Sequence, residues 1–213
     1  KQGFVALGMD CRSGKGVSNF APAVREQLLP ALLEKRAAHG MTGAPIRLMV
    51  VGIPNVGKSS FINRMAQSKR AKVEDRPGVT RTKQWVKIGS NMELLDMPGV
   101  LWPKFDDQTV AQKLAFTGAI NDDVMDLEAL ACLLLQRLAV SYPKALEERY
   151  RMTDLQAIQE DGFAMLELLG RKRGMLISGG EVNTERAAIT LLDEFRSGKL
   201  GRITLELPEQ EAL

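Results

Sequence analysis

One stretch constrains this chain more than any other: Gly52-Ile53-Pro54-Asn55-Val56-Gly57-Lys58-Ser59, which fits G-x-x-x-x-G-K-[ST]. Glycines let the backbone wrap tightly enough for successive N–H groups to point at phosphate oxygens. The lysine, Lys58, can reach β- and γ-phosphates, and the hydroxyl after it, Ser59, can ligate Mg²⁺. The flanks agree with the motif. Ile46–Val51 is an apolar run that reads as a strand, and residues 57–66 read as a helix whose positive N-terminus faces the same anion. A chain of 213 residues meets this pattern by accident in about 1% of cases at average residue frequencies. The motif therefore commits the chain to an α/β architecture around bound phosphate.

The rest of the pattern extends that architecture. Trp85–Ile88 and Met92–Leu95 are strand candidates around the turn Gly89-Ser90-Asn91, which predicts a parallel or mixed sheet with helices packed on it. Upstream, Phe4–Leu7 reads as a short buried strand closed by the turn-rich segment Asp10–Gly16. Residues 22–38 read as a helix stopped at Gly40, with a kink at Pro30. After Pro103 the character changes. From Gln108 the spacing is helical, with Leu127, Leu130, Leu133, Leu134 and Leu138 recurring mostly every three or four residues. Pro143, Thr153-Asp154 and Gly170 punctuate further helices; Gly179-Gly180 opens a turn before a last helix over Thr184–Arg196, and Arg202–Leu207 reads as a short final strand. The change of character places a domain boundary near 104–120, giving a phosphate-binding domain over 1–104 and a small all-α domain over 105–213.

Two further motifs match the phosphate loop. Asp96-Met97-Pro98-Gly99 follows the strand Met92–Leu95. An acidic residue at a strand end facing the phosphate loop is where a Walker B aspartate holds the Mg²⁺ shell, and Gly99 can offer its N–H to a γ-phosphate; the alternative is an ordinary strand-ending turn. Between the two lies Asp75-Arg76-Pro77-Gly78-Val79-Thr80. A hydroxyl on such a loop completes the Mg²⁺ shell only while the γ-phosphate is present, the order–disorder device of GTPase switches. Thr80 is favoured for that role by its Pro-Gly-x-Thr context, with Thr82 competing.

Composition excludes several classes. With 45% hydrophobic and 26% charged residues the chain is an ordinary globular protein, not a disordered one. No apolar run approaches the roughly 20 residues of a membrane span. The start, Lys1-Gln2-Gly3, lacks a basic region leading into a long apolar run, so no secretory signal is expected. Cys11 and Cys132 make neither a disulfide framework nor a zinc site, which points to a reducing, cytoplasmic setting. A net charge of +3 neither requires nor opposes a nucleic-acid partner, while 5% aromatic residues argue against an RNA-stacking platform.

Gly-Ile-Pro-Asn-Val-Gly-Lys-Ser-Ser at 52–60, Asp-Arg-Pro-Gly-Val-Thr at 75–80 and Leu-Leu-Asp-Met-Pro-Gly-Val-Leu-Trp-Pro-Lys-Phe at 94–105 together resemble the YlqF/RbgA family, the ribosome biogenesis GTPase A proteins. Thr117-Gly118-Ala119-Ile120 and Gly170-Arg171-Lys172-Arg173-Gly174 fit more weakly, and the resemblance covers nearly the whole chain. The [NT]-K-x-D motif that reads guanine is not found after Gly99. The resemblance supplies a reason: these are circularly permuted P-loop GTPases, whose base-binding S-A-K-x-G-x-G loop precedes the phosphate loop. Asp10-Cys11-Arg12-Ser13-Gly14-Lys15-Gly16 resembles that loop, with Asp10-Cys11-Arg12 in place of Ser-Ala-Lys; a plain β-to-α turn is the other reading. The [NT]-K-x-D motif is then expected upstream of Lys1, so the GTPase domain is expected to be N-terminally incomplete.

The resemblance implies GTP or GDP and Mg²⁺ as ligands. Asp10, Cys11, Asn55, Val56, Gly57, Lys58, Ser59, Ser60 and Gly99 would contact the nucleotide, and Ser59, Thr80 and Asp96 would organise the metal. Lys58, Thr80 and Asn55 are the candidate catalytic residues. Asn55 is expected either to help hold K⁺ beside the phosphates or simply to suit the turn. Val100 stands where many GTPases carry a water-orienting glutamine, and the family's catalytic histidine is expected upstream. His39, the one histidine, lies at an expected helix end, where a solvated or dipole-stabilising role suits it. The partner implied is the large ribosomal subunit and its rRNA, with Arg171, Lys172 and Arg173 either contacting RNA phosphates or forming a solvated face. No membrane partner is expected, and the protein is expected to be a monomer. An ATP-using phosphotransferase or ATPase, and a GTP-gated RNA-binding module with negligible turnover, remain as alternatives.

Overall fold

The computed structural model describes residues 4–41, 43–66, 84–89, 91–101 and 105–207. They fall into two compact units, Lys1–Leu101 and Trp102–Leu213.

The first unit holds a mixed three-stranded sheet of β1 (Ile46–Val50), β2 (Gln84–Ile88) and β3 (Met92–Asp96), in the order β1-β3-β2. β1 runs parallel to β3, with Ile46 opposite Met92 and Val50 opposite Asp96; β2 runs antiparallel to it. Alternation decides which face is covered: Val86, Ile88, Met92 and Leu94 are buried on one side, whereas Trp85 and Met49 are exposed on the other. The covered face packs with Ile46, Ile62 and Val24 into a single core.

The helices here are α1 (Phe20–Ala23), α2 (Pro30–Ala38) and α3 (Lys58–Met65). Phe20 meets Phe61 of α3 edge to face, with ring centroids 5.0 Å apart. The kink expected at Pro30 is a full break. A π-turn over Val24–Leu28 follows α1, Leu29 leaves helical geometry at φ −123°, and Pro30 opens α2 where its missing N–H costs nothing. Gly40, at φ +69°, stops α2 as expected. His39 places Nδ1 2.7 Å from the Lys35 carbonyl at that helix end.

Two expected strands are absent. Phe4–Leu7 forms no ladder, and Phe4 is 84% exposed. An apolar run becomes a strand only beside a partner, and Phe4–Leu7 pairs with neither edge strand, β1 or β2. Arg202–Leu207 is likewise unladdered. Side chains hold it instead. Arg137 donates to the Leu205 carbonyl, the Tyr142 hydroxyl bonds both Thr204 N–H (3.0 Å) and Thr204 carbonyl (3.2 Å), and Lys113 pairs with Glu206 at 2.7 Å.

The second unit contains α4 (Gln108–Phe116), α5 (Leu127–Ser141), α6 (Pro143–Tyr150), α7 (Gly162–Lys172) and α8 (Thr184–Arg196). Among its described residues the β structure is limited to one bridge, Leu176 to Val182. Four helices start on a side-chain cap: Asp107, Asp126, Asp161 and Asn183 accept from the N–H of Thr109, Ala129, Ala164 and Arg186. α5 lies at the centre, with Leu134, Leu135 and Leu138 fully buried against α6, α7 and α8.

Two polar clasps, partly exposed, tie these helices together. Glu194, 4% exposed, accepts Arg149 Nε at 2.9 Å, a second Arg149 nitrogen, and Arg173 at 3.2 Å. Arg196 makes a bidentate pair with Asp122 at 2.7 and 2.8 Å and donates to the carbonyls of Ala115 and Phe116. Those carbonyls end α4, where Gly118 at φ +72° closes a Schellman motif: its N–H bonds Ala115, and that of Ala119 bonds Leu114. Thr117-Gly118-Ala119-Ile120 is thus a helix stop on which Arg196 docks.

Candidate functional site

Because β1 and β3 are parallel neighbours, their carboxyl ends lie side by side, where α/β sheets bind ligands. The phosphate loop leaves β1 there, and Asp96 ends β3 there. Two residues of the loop need the left-handed region. Gly57, at φ +92°, is the N-cap of α3, and Asn55, at φ +59°, is of the type that tolerates this geometry best after glycine. Lys58, Ser59 and Ser60 then form the first turn of α3, so their N–H groups and the helix dipole face the same crevice. Lys58 donates from Nζ to the Ile53 carbonyl at 2.8 Å, folding back across the loop. Burial pushes its pKa down, opposed by attraction to Asp96.

Asp96 is 0% exposed, and neither carboxylate oxygen has a hydrogen-bond partner among the described residues. A buried carboxylate without a partner is costly, and a cation is what such a group accepts. Ser59 is the second residue of α3, which follows the loop that leaves the neighbouring strand β1. One carboxylate with hydroxyl oxygens and water is a hard-oxygen set suited to Mg²⁺. Thr80, its competitor Thr82 and the whole of Asp75–Thr80 lie outside the described residues. No group of three or more His, Cys, Asp or Glu able to hold a metal occurs among the described residues.

Gly99 comes so close to the phosphate loop that a Cβ there would lie 2.6 Å from both Cα and N of Pro54. The Val100 N–H reaches the Gly52 carbonyl at 3.3 Å. Only glycine permits this backbone-on-backbone approach. Val100 itself is 69% exposed and Val56 57%.

The Asp10–Gly16 segment is a turn built around Asp10. Its carboxylate accepts from Arg12 N–H at 2.8 Å and Ser13 Oγ at 2.6 Å, and its backbone bonds Lys15 and Gly14. The Ser13 bond, with help from backbone N–H groups, holds the Asp10 carboxyl below its usual range. Burial pushes the Cys11 thiol up, opposed by the Arg64 guanidinium. Sequence reasoning missed three things: the Ile53 carbonyl under Lys58, the Pro54–Gly99 approach, and Arg64 against this turn. Each depends on residues brought together by folding rather than by spacing.

Residues 47–160 match the family model of the 50S ribosome-binding GTPases. Ribosome biogenesis GTPase A of Bacillus cereus is 41% identical over 210 residues, which cover 99% of this chain and 70% of that protein. The chain belongs to the ribosome biogenesis GTPase A family. The Bacillus licheniformis protein of the same name is 43% identical over 98% of this chain and 72% of its own length. The GDP-bound structure of TM YlqF has the same fold, with a TM-score of 0.51 at 23% identity over 95% of this chain and 80% of that one. Among the described residues no helix is long and apolar enough to cross a membrane.

Proposed function

We infer that this chain is a GTP-binding, GTP-hydrolysing assembly factor that acts in the cytoplasm on the large ribosomal subunit. GTP binding and hydrolysis follow from the family; the subunit and its rRNA are our reading of it. The observation that carries the site assignment is Asp96, buried and unpartnered at the strand end beside the phosphate loop. Asp96, Ser59 and Thr80 would hold Mg²⁺, which when bound neutralises charge on the β- and γ-phosphate oxygens. N–H groups from Asn55 to Ser60 surround the phosphates, and Lys58 exchanges its Ile53 carbonyl for the β- and γ-phosphates. Gly99 meets the γ-phosphate by its N–H, so a nucleotide-dependent shift presses on Pro54. Asp10 shapes the base loop, and Cys11 offers its backbone to guanine. We read the domain as circularly permuted, with the helical residues 105–213 as the RNA-binding part.

The test is hydrolysis of GTP against ATP by the intact protein, with and without large-subunit particles. We expect at least a hundredfold preference for GTP, stimulation by the particle, and loss of triphosphate binding in Lys58→Ala. Equal use of ATP would replace this reading with an ATPase.

Asn55 in the loop, together with a valine at position 100, supports a K⁺ ion beside the phosphates doing what an arginine finger does elsewhere. GTP hydrolysis should be faster in K⁺ than in Na⁺ at equal ionic strength, and Asn55→Ala should erase the difference. Equal rates in the two salts would remove K⁺ from the mechanism.

The three basic residues at the end of α7 are not equivalent. Arg171, Lys172 and Arg173 do not act as one projecting group: Arg173 is tied to Glu194 and lies 5.9 Å from the Tyr150 ring centroid. All three are exposed, but Arg173 alone of them makes an ion pair among the described residues, so we take Arg171 and Lys172 as the RNA-facing pair. Arg171→Ala/Lys172→Ala should lower the salt slope of particle binding by about one unit for each RNA phosphate that the pair no longer neutralises. Co-sedimentation across a salt series checks this, and an unchanged slope assigns the pair to a solvated face.

A further inference from the structure

Arg64 sits in the last turn of α3, the helix whose first turn carries Lys58 and Ser59. Its guanidinium lies against Gly14 of the Asp10–Gly16 turn: a Cβ at Gly14 would be 2.8 Å from Arg64 Cζ and 3.0 Å from Nε, with a terminal nitrogen nearer still. Gly14 is at φ +85°, a conformation that calls for glycine, and the Arg64 guanidinium occupies the space a side chain there would take. The same guanidinium is close enough to Cys11 to bias its thiol. The turn is internally rigid, because the Asp10 carboxylate already holds Arg12 and Ser13. What it needs from outside is a fixed position, and Arg64, an exposed side chain on the helix that begins at the phosphates, is in close contact with it. From residue 58 to residue 64 the helix rises about 9 Å at roughly 1.5 Å per residue, so the two contacts lie at opposite ends of α3.

We propose that Arg64 is a positioning residue that fastens the guanine-side turn to the phosphate-loop helix, and that this link sets how long guanine nucleotide stays bound. The inference rests on the reading of Asp10–Gly16 as the base loop. If the turn and helix move as one body, the base and phosphate ends of the nucleotide are released together. Without Arg64, the turn swings away alone, the base is released first, and the complex dissociates faster. Changes of this kind fall mainly on the off-rate. Arginine suits the position because its flat, delocalised cation can lie against backbone, whereas the compact ammonium of lysine cannot.

The experiment is the release rate of a fluorescent GDP analogue from the intact protein, measured beside affinity for inorganic tripolyphosphate, which occupies only the phosphate end. Arg64→Ala should speed GDP release about tenfold and leave tripolyphosphate affinity unchanged, with Arg64→Lys restoring little. Asp10→Ala, which breaks the turn from inside, should also speed GDP release. If Asp10→Ala speeds release and Arg64→Ala does not, the role of Arg64 is overturned while the base-loop reading stands. If neither variant changes release, the base-loop reading falls and the proposal with it. A parallel loss of tripolyphosphate affinity in Arg64→Ala would show a general structural role and overturn the specific one.

Discussion

Asp96→Asn should move stability and activity in opposite directions. In the nucleotide-free protein the substitution removes a buried charge that has no protein hydrogen-bond partner. We expect the free protein to gain stability, because a neutral amide costs less to bury than a carboxylate, although the amide's own polar atoms stay without partners. Loss of attraction to Lys58 subtracts a part of that gain, since burial then lowers the lysine pKa unopposed. With Mg²⁺ and GTP the order reverses. The amide keeps one oxygen but no charge, so it no longer supplies the carboxylate of the metal shell, and hydrolysis should fall about a hundredfold or more. Thermal unfolding in chelator, set beside GTP turnover in Mg²⁺, reads both effects. A variant that is less stable without ligand yet equally active would place the metal elsewhere.

The second large effect belongs to the helical unit. Bonds from Arg149, and then the nearby Arg149 and Arg173 charges, lower the pKa of Glu194 to about 2 despite burial. The folded value lies below the unfolded one of 4.5, so the folded state binds fewer protons at this site. The stability it contributes is complete above about pH 4.5 and is lost as pH falls toward 2. The shift corresponds to about 3 kcal/mol, reduced to about 2 because both arginines are about one-third exposed and screened. Glu194→Gln should destabilise the protein by about 2–4 kcal/mol at neutral pH, since two cations then face a neutral amide. Its stability should also change less than the parent's between pH 4.5 and 2. Denaturant unfolding at several pH values decides the matter: parallel pH curves would remove Glu194 from the acid transition.

The parts of this fold that could be read from sequence are those whose cause is local. β1, the loop and α3 follow from an apolar run, two glycines and a helical pattern, all within a short span of chain. α8 begins after Asn183 and ends at Arg196 because cap and periodicity agree. The failures share one cause. Phe4–Leu7 and Arg202–Leu207 have strand-like composition, but a strand exists only with a partner, and composition names none. Arg173 reads as one of three equal basic residues until Glu194, twenty-one positions on, claims it. At the site, the spacing of Asp96 from the loop pointed to a metal ligand, but its burial without a partner is not written in any motif. The Gly99–Pro54 approach and Arg64 against Gly14 bring together distant parts of the chain, which spacing does not encode.

The Arg196 clasp also bears on the order in which the chain becomes structured during translation. The carbonyl of Ala115 waits for a guanidinium eighty-one residues further on. At about 5–20 residues per second, a ribosome making this chain needs roughly 4–16 s to deliver it. Until then the end of α4 has its glycine stop but lacks its cation, and Asp122 has no arginine. The first helix of the unit is thus completed by the last, so the C-terminal half is expected to close as a single late event rather than helix by helix. Released chains truncated before residue 196 should expose α4 to proteases, and the released full chain should not.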